Sequence, residues 1–176
     1  AVQDAIYAEA KADPAGHEFL RDLCDDFGGR LTGSPNNRAA LERTVERLKA
    51  LGVDAKLEPF HMPGWVRGRD EVEMLAPVHR TLRAASLSYT QPHPRFEAEV
   101  VNIGDGREED IAPLDAKGKV GLLAPNTTVP RGQYEAAAVK HGMRGILFID
   151  RVNGGQLLAR TGSFSGEPLR IPVYSI

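Results

Sequence analysis

Apolar and polar positions alternate with two different periods along the chain. Leu41, Val45, Leu48 and Leu51 fall on one stripe, with Glu42, Arg43, Glu46 and Lys49 opposite, a helical spacing. Ser34 is a natural N-cap for that helix, Pro35 suits its first position, and Gly52 supplies the stop. Two further helices are expected upstream, from about Asp4 to Ala12 and from about Ala15 to Phe27, the second ended by Gly28 and Gly29. Val53, Ala55 and Leu57 alternate with Asp54, Lys56 and Glu58, which reads as a half-buried strand.

From about residue 61 the texture changes to Gly, Pro and short β-type runs. Strands are expected near Glu71–Leu75, Thr81–Tyr89, Ala98–Ile103, Lys119–Ala124, Gly145–Ile149 and Ile171–Ser175. One helix, about Tyr134 to Lys140, is closed by Gly142 and leads to Gly145-Ile146-Leu147-Phe148-Ile149, an α-to-β step onto a buried strand. The fold class expected is α+β: helices and a strand from an incomplete α/β domain, then a β-rich open barrel or sandwich with a flanking helix. Two parts are drawn, 1–60 and 61–176. The apolar run Ile171-Pro172-Val173-Tyr174-Ser175-Ile176 has no turn or polar tail after it, which points to a shortened chain.

Composition narrows the classes. With 41% hydrophobic and 26% charged residues over 176 positions, a soluble globular chain is the expectation. The net charge of −2 gives no reason to expect a nucleic-acid partner, and no apolar run reaches the length that crosses a bilayer, so no membrane partner is expected. The single cysteine, Cys24, excludes an internal disulfide and is read as part of the apolar face of its helix with Phe19, Leu20, Leu23 and Phe27. The chain opens at Ala1 without the basic start and apolar core of a signal peptide; either a leader has been removed or the chain has been shortened.

Motifs for chemistry are weak. Of His17, His61, His79, His93 and His141 no two lie three or four apart, and HExxH is absent, so surface or capping roles are favoured over metal ligation. Asp25-Asp26 and Glu108-Glu109-Asp110 read as solvated carboxylates, the second cluster capping a turn. Gly162-Ser163-Phe164-Ser165-Gly166 has Phe where a nucleophile elbow needs Ser, so a serine hydrolase is set aside. Gly104-Asp105-Gly106 fails the dinucleotide pattern, with Glu109 at the third glycine position and no helix clearly following, and reads as a turn between strands. Asn126-Thr127-Thr128 is a formal glycosylation sequon.

Four stretches carry a resemblance. Gly29-Arg30-Leu31-Thr32-Gly33-Ser34 before a helix resembles the start of peptidases with the zinc aminopeptidase fold. Leu57 to Gly68, containing Pro63-Gly64-Trp65-Val66-Arg67-Gly68, and then Met74-Leu75-Ala76-Pro77, is similar to the carboxypeptidase Q branch of the aminopeptidase Y-type metallopeptidases. Lys117-Gly118-Lys119-Val120 and Ala136-Ala137-Ala138-Val139-Lys140-His141-Gly142 resemble the core of a protease-associated domain, and Ile171-Pro172-Val173 a strand of it.

The resemblance implies a protease-associated domain inserted in an α/β catalytic domain. It implies a secreted or periplasmic parent enzyme that binds two zinc ions and cuts dipeptides or short peptides. The family's zinc ligands lie after the insert and match nothing here, so no catalytic residue, metal ligand or cofactor is assigned to this chain. Arg30 and Ser34 resemble a loop near the active-site rim, against an ion pair for Arg30 and a helix cap for Ser34. Trp65 anchors the crossover into the insert, or touches substrate. The partners implied are peptide substrate, the remainder of the peptidase domain and a second copy in a homodimer. The competing reading is a free-standing protease-associated module that binds peptides or proteins without chemistry.

Overall fold

The computed structural model describes residues 1–125, 127–150 and 156–176. The sequon residue Asn126 lies outside the described residues. The chain divides into two compact units, Ala1–Val66 and Arg67–Ile176, a few residues beyond the change in texture.

The first unit holds α1 (Val2–Ala12), α2 (Ala15–Asp25) and α3 (Pro35–Ala50). Ser34 caps α3: its Oγ accepts from the Asn37 N–H at 3.2 Å. Arg47 ties α3 to α2. It donates to the Ala15 carbonyl at 2.9 Å and lies over the Phe19 ring at 4.9 Å. Burial is slight. Ala40 is the one fully buried apolar residue of this unit, while Leu41, Leu48 and Leu51 remain exposed.

Two expectations fail here. Cys24 is exposed rather than buried, because nothing in the unit covers that side of α2. Val53–Leu57 forms no strand; Ala55 and Leu57 are half-buried as the alternation suggested, but a strand requires a partner and none of the described residues pairs with it.

The second unit opens with an antiparallel hairpin, β1 (Val72–Met74) and β2 (Arg80–Leu82). The run expected as one strand from Thr81 to Tyr89 splits. The chain leaves the hairpin after Leu82 and enters the main sheet as β3 (Ala85–Ser86), since one straight strand could not pair in both sheets.

The main sheet adds β4 (Val100–Asn102), β5 (Val120–Leu123), β6 (Gly145–Phe148) and β7 (Val173–Ser175), in the order β3-β7-β6-β5-β4. Three of its four pairings are parallel and only β3 runs the other way. Two helices, α4 (Glu108–Ile111) and α5 (Arg131–Lys140), make the crossovers β4-α4-β5 and β5-α5-β6. The strands follow in sequence across the sheet, so right-handed crossovers set both helices on one face.

That face is the core. Ile103, Leu123, Ile146, Phe148 and Val173 from the sheet meet Ile111, Tyr134, Ala137 and Ala138 from the helices. Gly121 is required there, because a Cβ would stand 2.7 Å from Ile103 Cδ1 and 3.0 Å from Met143 Cε. The opposite face carries Val120, Leu122, Leu147 and Tyr174, all half-buried. The architecture is mixed α+β with a five-stranded sheet.

Candidate functional site

Two of the places that bring polar side chains together bear on the residues and motifs read from the sequence. The first is the connection between α2 and α3, residues 26–34, which holds two of the residues singled out in the sequence. Arg30 reaches back to the carboxyl end of α2, donating to the Leu23 carbonyl and, at 2.9 Å, to the Gly28 carbonyl. The ion-pair alternative for Arg30 is not what the geometry shows; its partners are main-chain oxygens. Asn36 donates to the Phe27 carbonyl at 2.9 Å and the Gly29 carbonyl at 3.3 Å. Gly33 N–H donates to Asn37 Oδ1 at 3.3 Å, and Ser34 N–H to the Leu31 carbonyl at 2.9 Å. Gly28 and Gly33, at φ +57° and +86°, make the two reversals that bring these groups within reach.

Asn36 and Asn37 were not singled out in the sequence. Their signal was there: two amides in the first turn after a Ser-Pro start can turn back onto the loop. Trp65 is half-buried near the end of the first unit. Arg30 and Ser34 therefore share one built loop, and Trp65 stands apart from it in sequence.

The second place lies between α4 and α5. A shallow cleft of about 410 Å³ is lined by Val129, Ala136 and Ala137 together with Arg107, Glu109 and Gln133. At one end Glu108 Oε1 accepts from Lys140 Nζ at 2.8 Å and lies 2.8 Å from His141 Nε2. Lys140 first, and His141 with it, hold the Glu108 carboxyl below the usual carboxylate range. Asp110 caps α4, its Oδ2 accepting from the Arg107 N–H at 3.1 Å. The acidic run thus caps and pairs, and the helix missed after Gly104-Asp105-Gly106 is a single turn held by that cap.

In the serine loop Ser163 Oγ and Ser165 Oγ pair with each other at 3.2 Å, and Phe164 projects outward, 89% exposed.

No family model matches the sequence. Bovine carboxypeptidase Q is 31% identical over 159 residues, covering 88% of this chain and 33% of that protein. The human protein is 31% identical over 119 residues, 66% of this chain and 25% of its own length. This chain is homologous to carboxypeptidase Q. It spans a quarter to a third of the length of the curated relatives it matches.

Among solved structures, a zinc aminopeptidase from Bacillus subtilis superposes with a TM-score of 0.71 at 19% identity, covering 90% of this chain and 38% of that one. The peptidase M28 precursor of Shewanella amazonensis gives 0.71 at 21% identity over 99% and 44%. At that identity the likeness is one of fold.

Do the residues of this carboxypeptidase Q homologue fit zinc? Among the described residues no three His, Cys, Asp or Glu side chains gather as a donor set. The two Glu–His pairs are each engaged by a cation. Lys140 sits on the same oxygen of Glu108 as His141, and Arg95 Nη2 lies 2.9 Å from Glu73 Oε2, the atom 3.5 Å from His79 Nε2. In both pairs the carboxylate oxygen nearest the imidazole also carries an ammonium or guanidinium. The donors present do not fit zinc, and no chemical step is assigned to a metal in this chain.

Proposed function

We propose that this chain is the non-catalytic part of a secreted, zinc-dependent exopeptidase that hydrolyses dipeptides or short peptides. In this reading the segment from 61 to 176 is a protease-associated domain, and residues 1–60 belong to the peptidase domain. Homology to carboxypeptidase Q over 88% of the chain carries the proposal. The occupied Glu–His pairs support a non-catalytic role. The zinc ions and the groups that activate water belong to the rest of the protein.

The chain's task is then to shape access to the peptide and to offer contacts to the remainder of the peptidase domain or a second copy. The α2–α3 loop with Arg30 and Ser34, and Trp65, stand at the substrate rim. Arg30 and Ser34 serve by holding loop shape, since both side chains are spent on main-chain groups. The exposed Leu41 and Leu48 of α3, with Leu51 at its C-cap, give the remainder of the peptidase an apolar surface to cover. The described residues include no helix long and apolar enough to cross a membrane.

The test is direct. The purified 176-residue chain, assayed on dipeptides with zinc supplied, should show no turnover above the zinc-only control. Hydrolysis by the chain that a chelator abolishes would overturn the proposal.

A further inference from the structure

The two edges of the main sheet are finished differently. At one, Arg67 and Asp70 engage Ser86 of β3. Arg67 Nη2 donates to the Ser86 carbonyl at 2.8 Å, and Asp70 Oδ2 accepts from Ser86 N–H at 2.8 Å and Oγ at 2.9 Å. Side chains thus cap the main-chain groups of that strand, one way in which proteins blunt an edge.

At the other edge, β4, the described residues provide no such cover. Among them its only strand neighbour is β5. The bonds to β5 use alternate residues: Val120 N–H donates to the Glu99 carbonyl at 2.9 Å, and Ile103 N–H donates to the Leu122 carbonyl at 3.0 Å. In a parallel ladder the intervening residues face away from that neighbour. Val100 and Asn102 therefore present their N–H and C=O groups outward, and Val100 adds an apolar side chain that is 54% exposed.

Between Arg95 and Arg107 the charge along this edge has one sign. From Glu97 to Asp105 the ionisable residues are Glu97, Glu99 and Asp105. Of the cations beside this stretch, Arg95 is held by Glu73 at 2.9 Å, and Lys119 by Glu99 at 3.1 Å and by Asp115 at 3.2 Å. Lys117 lies against Gly142, where a Cβ would stand 3.3 Å from its Cγ. A second copy of the strand is a poor occupant. Antiparallel self-pairing about Val101 sets Glu97 against Asp105, and parallel self-pairing stacks Glu97 on Glu97.

We propose that the outer edge of β4 takes up an extended basic polypeptide segment as an added strand, through the outward N–H and C=O groups of Val100 and Asn102, with Glu97, Glu99 and Asp105 selecting for Lys or Arg. Main-chain bonds supply the affinity in this mode and flanking side chains the selectivity. The proposal does not depend on the exopeptidase reading.

The experiment titrates the chain with two labelled octapeptides, one alternating Lys with Val and one alternating Glu with Val, followed by fluorescence anisotropy. The basic peptide should bind and the acidic one should not. Val100→Pro removes an outward N–H without touching a bond to β5, and should weaken binding about tenfold. The double variant Glu97→Lys/Glu99→Lys should reverse the preference, a readout that stands if the proline variant fails to fold. Equal binding of both peptides, binding of neither, or an unreversed preference in the charge variant would overturn the proposal. So would a folded Val100→Pro variant that binds as well as the parent, or sedimentation showing the edge occupied by another copy.

Discussion

Several residues in this chain act through main-chain groups. Arg30 holds helix-end carbonyls, Ser34 caps α3, and Asp70 and Arg67 finish an edge strand. Tyr134 acts through burial: in the core of the second unit, it has its phenol pushed up to about 12 by desolvation, which outweighs the opposing charge of Arg131. The folded chain keeps this proton at a pH where the unfolded chain, with an ordinary value near 10.0, has lost it. Stability is therefore undiminished by Tyr134 below pH about 10, and falls as pH rises from there to about 12. A spectrophotometric titration of the four tyrosines should show one phenolate appearing last, with the loss of tertiary signal; Tyr134→Phe should remove that late step.

At the scale of elements, helix ends were legible and strand partners were not. Ser34-Pro35 marks the start of α3, and the first turn confirms it with the Asn37 N–H on Ser34 Oγ. Ser34→Ala should cost about 1 kcal/mol, measured as a lowered denaturation midpoint followed by circular dichroism, and Ser34→Asp should restore most of it. The strands from β4 to β7 were located by their apolar runs. Their mostly parallel pairing was not, because a run of three or four residues carries no direction; the connections between strands impose it. The run Thr81–Tyr89 looked continuous since apolarity persists through its bend, and Val53–Leu57 looked like a strand since alternation says nothing about whether a partner exists.

For the whole molecule, burial is very uneven. The core cluster lies entirely within Arg67–Ile176, whereas Ala1–Val66 buries one apolar residue fully. Hydrophobic burial is the main favourable term in folding, so the first unit should open at lower denaturant than the second. The single tryptophan, Trp65, belongs to the first unit and Tyr134 to the second. Tryptophan fluorescence should change at a lower urea concentration than near-ultraviolet tyrosine dichroism; coincident transitions would show that the chain unfolds as one.

The sequence by itself determined the three early helices, the positions of the later strands, the weakness of every motif for chemistry and the likeness to carboxypeptidase Q. All of these follow from local spacing or from strings of adjacent residues. Only the tertiary structure decided that Cys24 is exposed, that Arg30 binds carbonyls, that Lys140 and His141 share one carboxylate, and that one sheet edge is closed while the other is open. Each of these depends on which distant groups meet, and a linear pattern of polarity does not specify that.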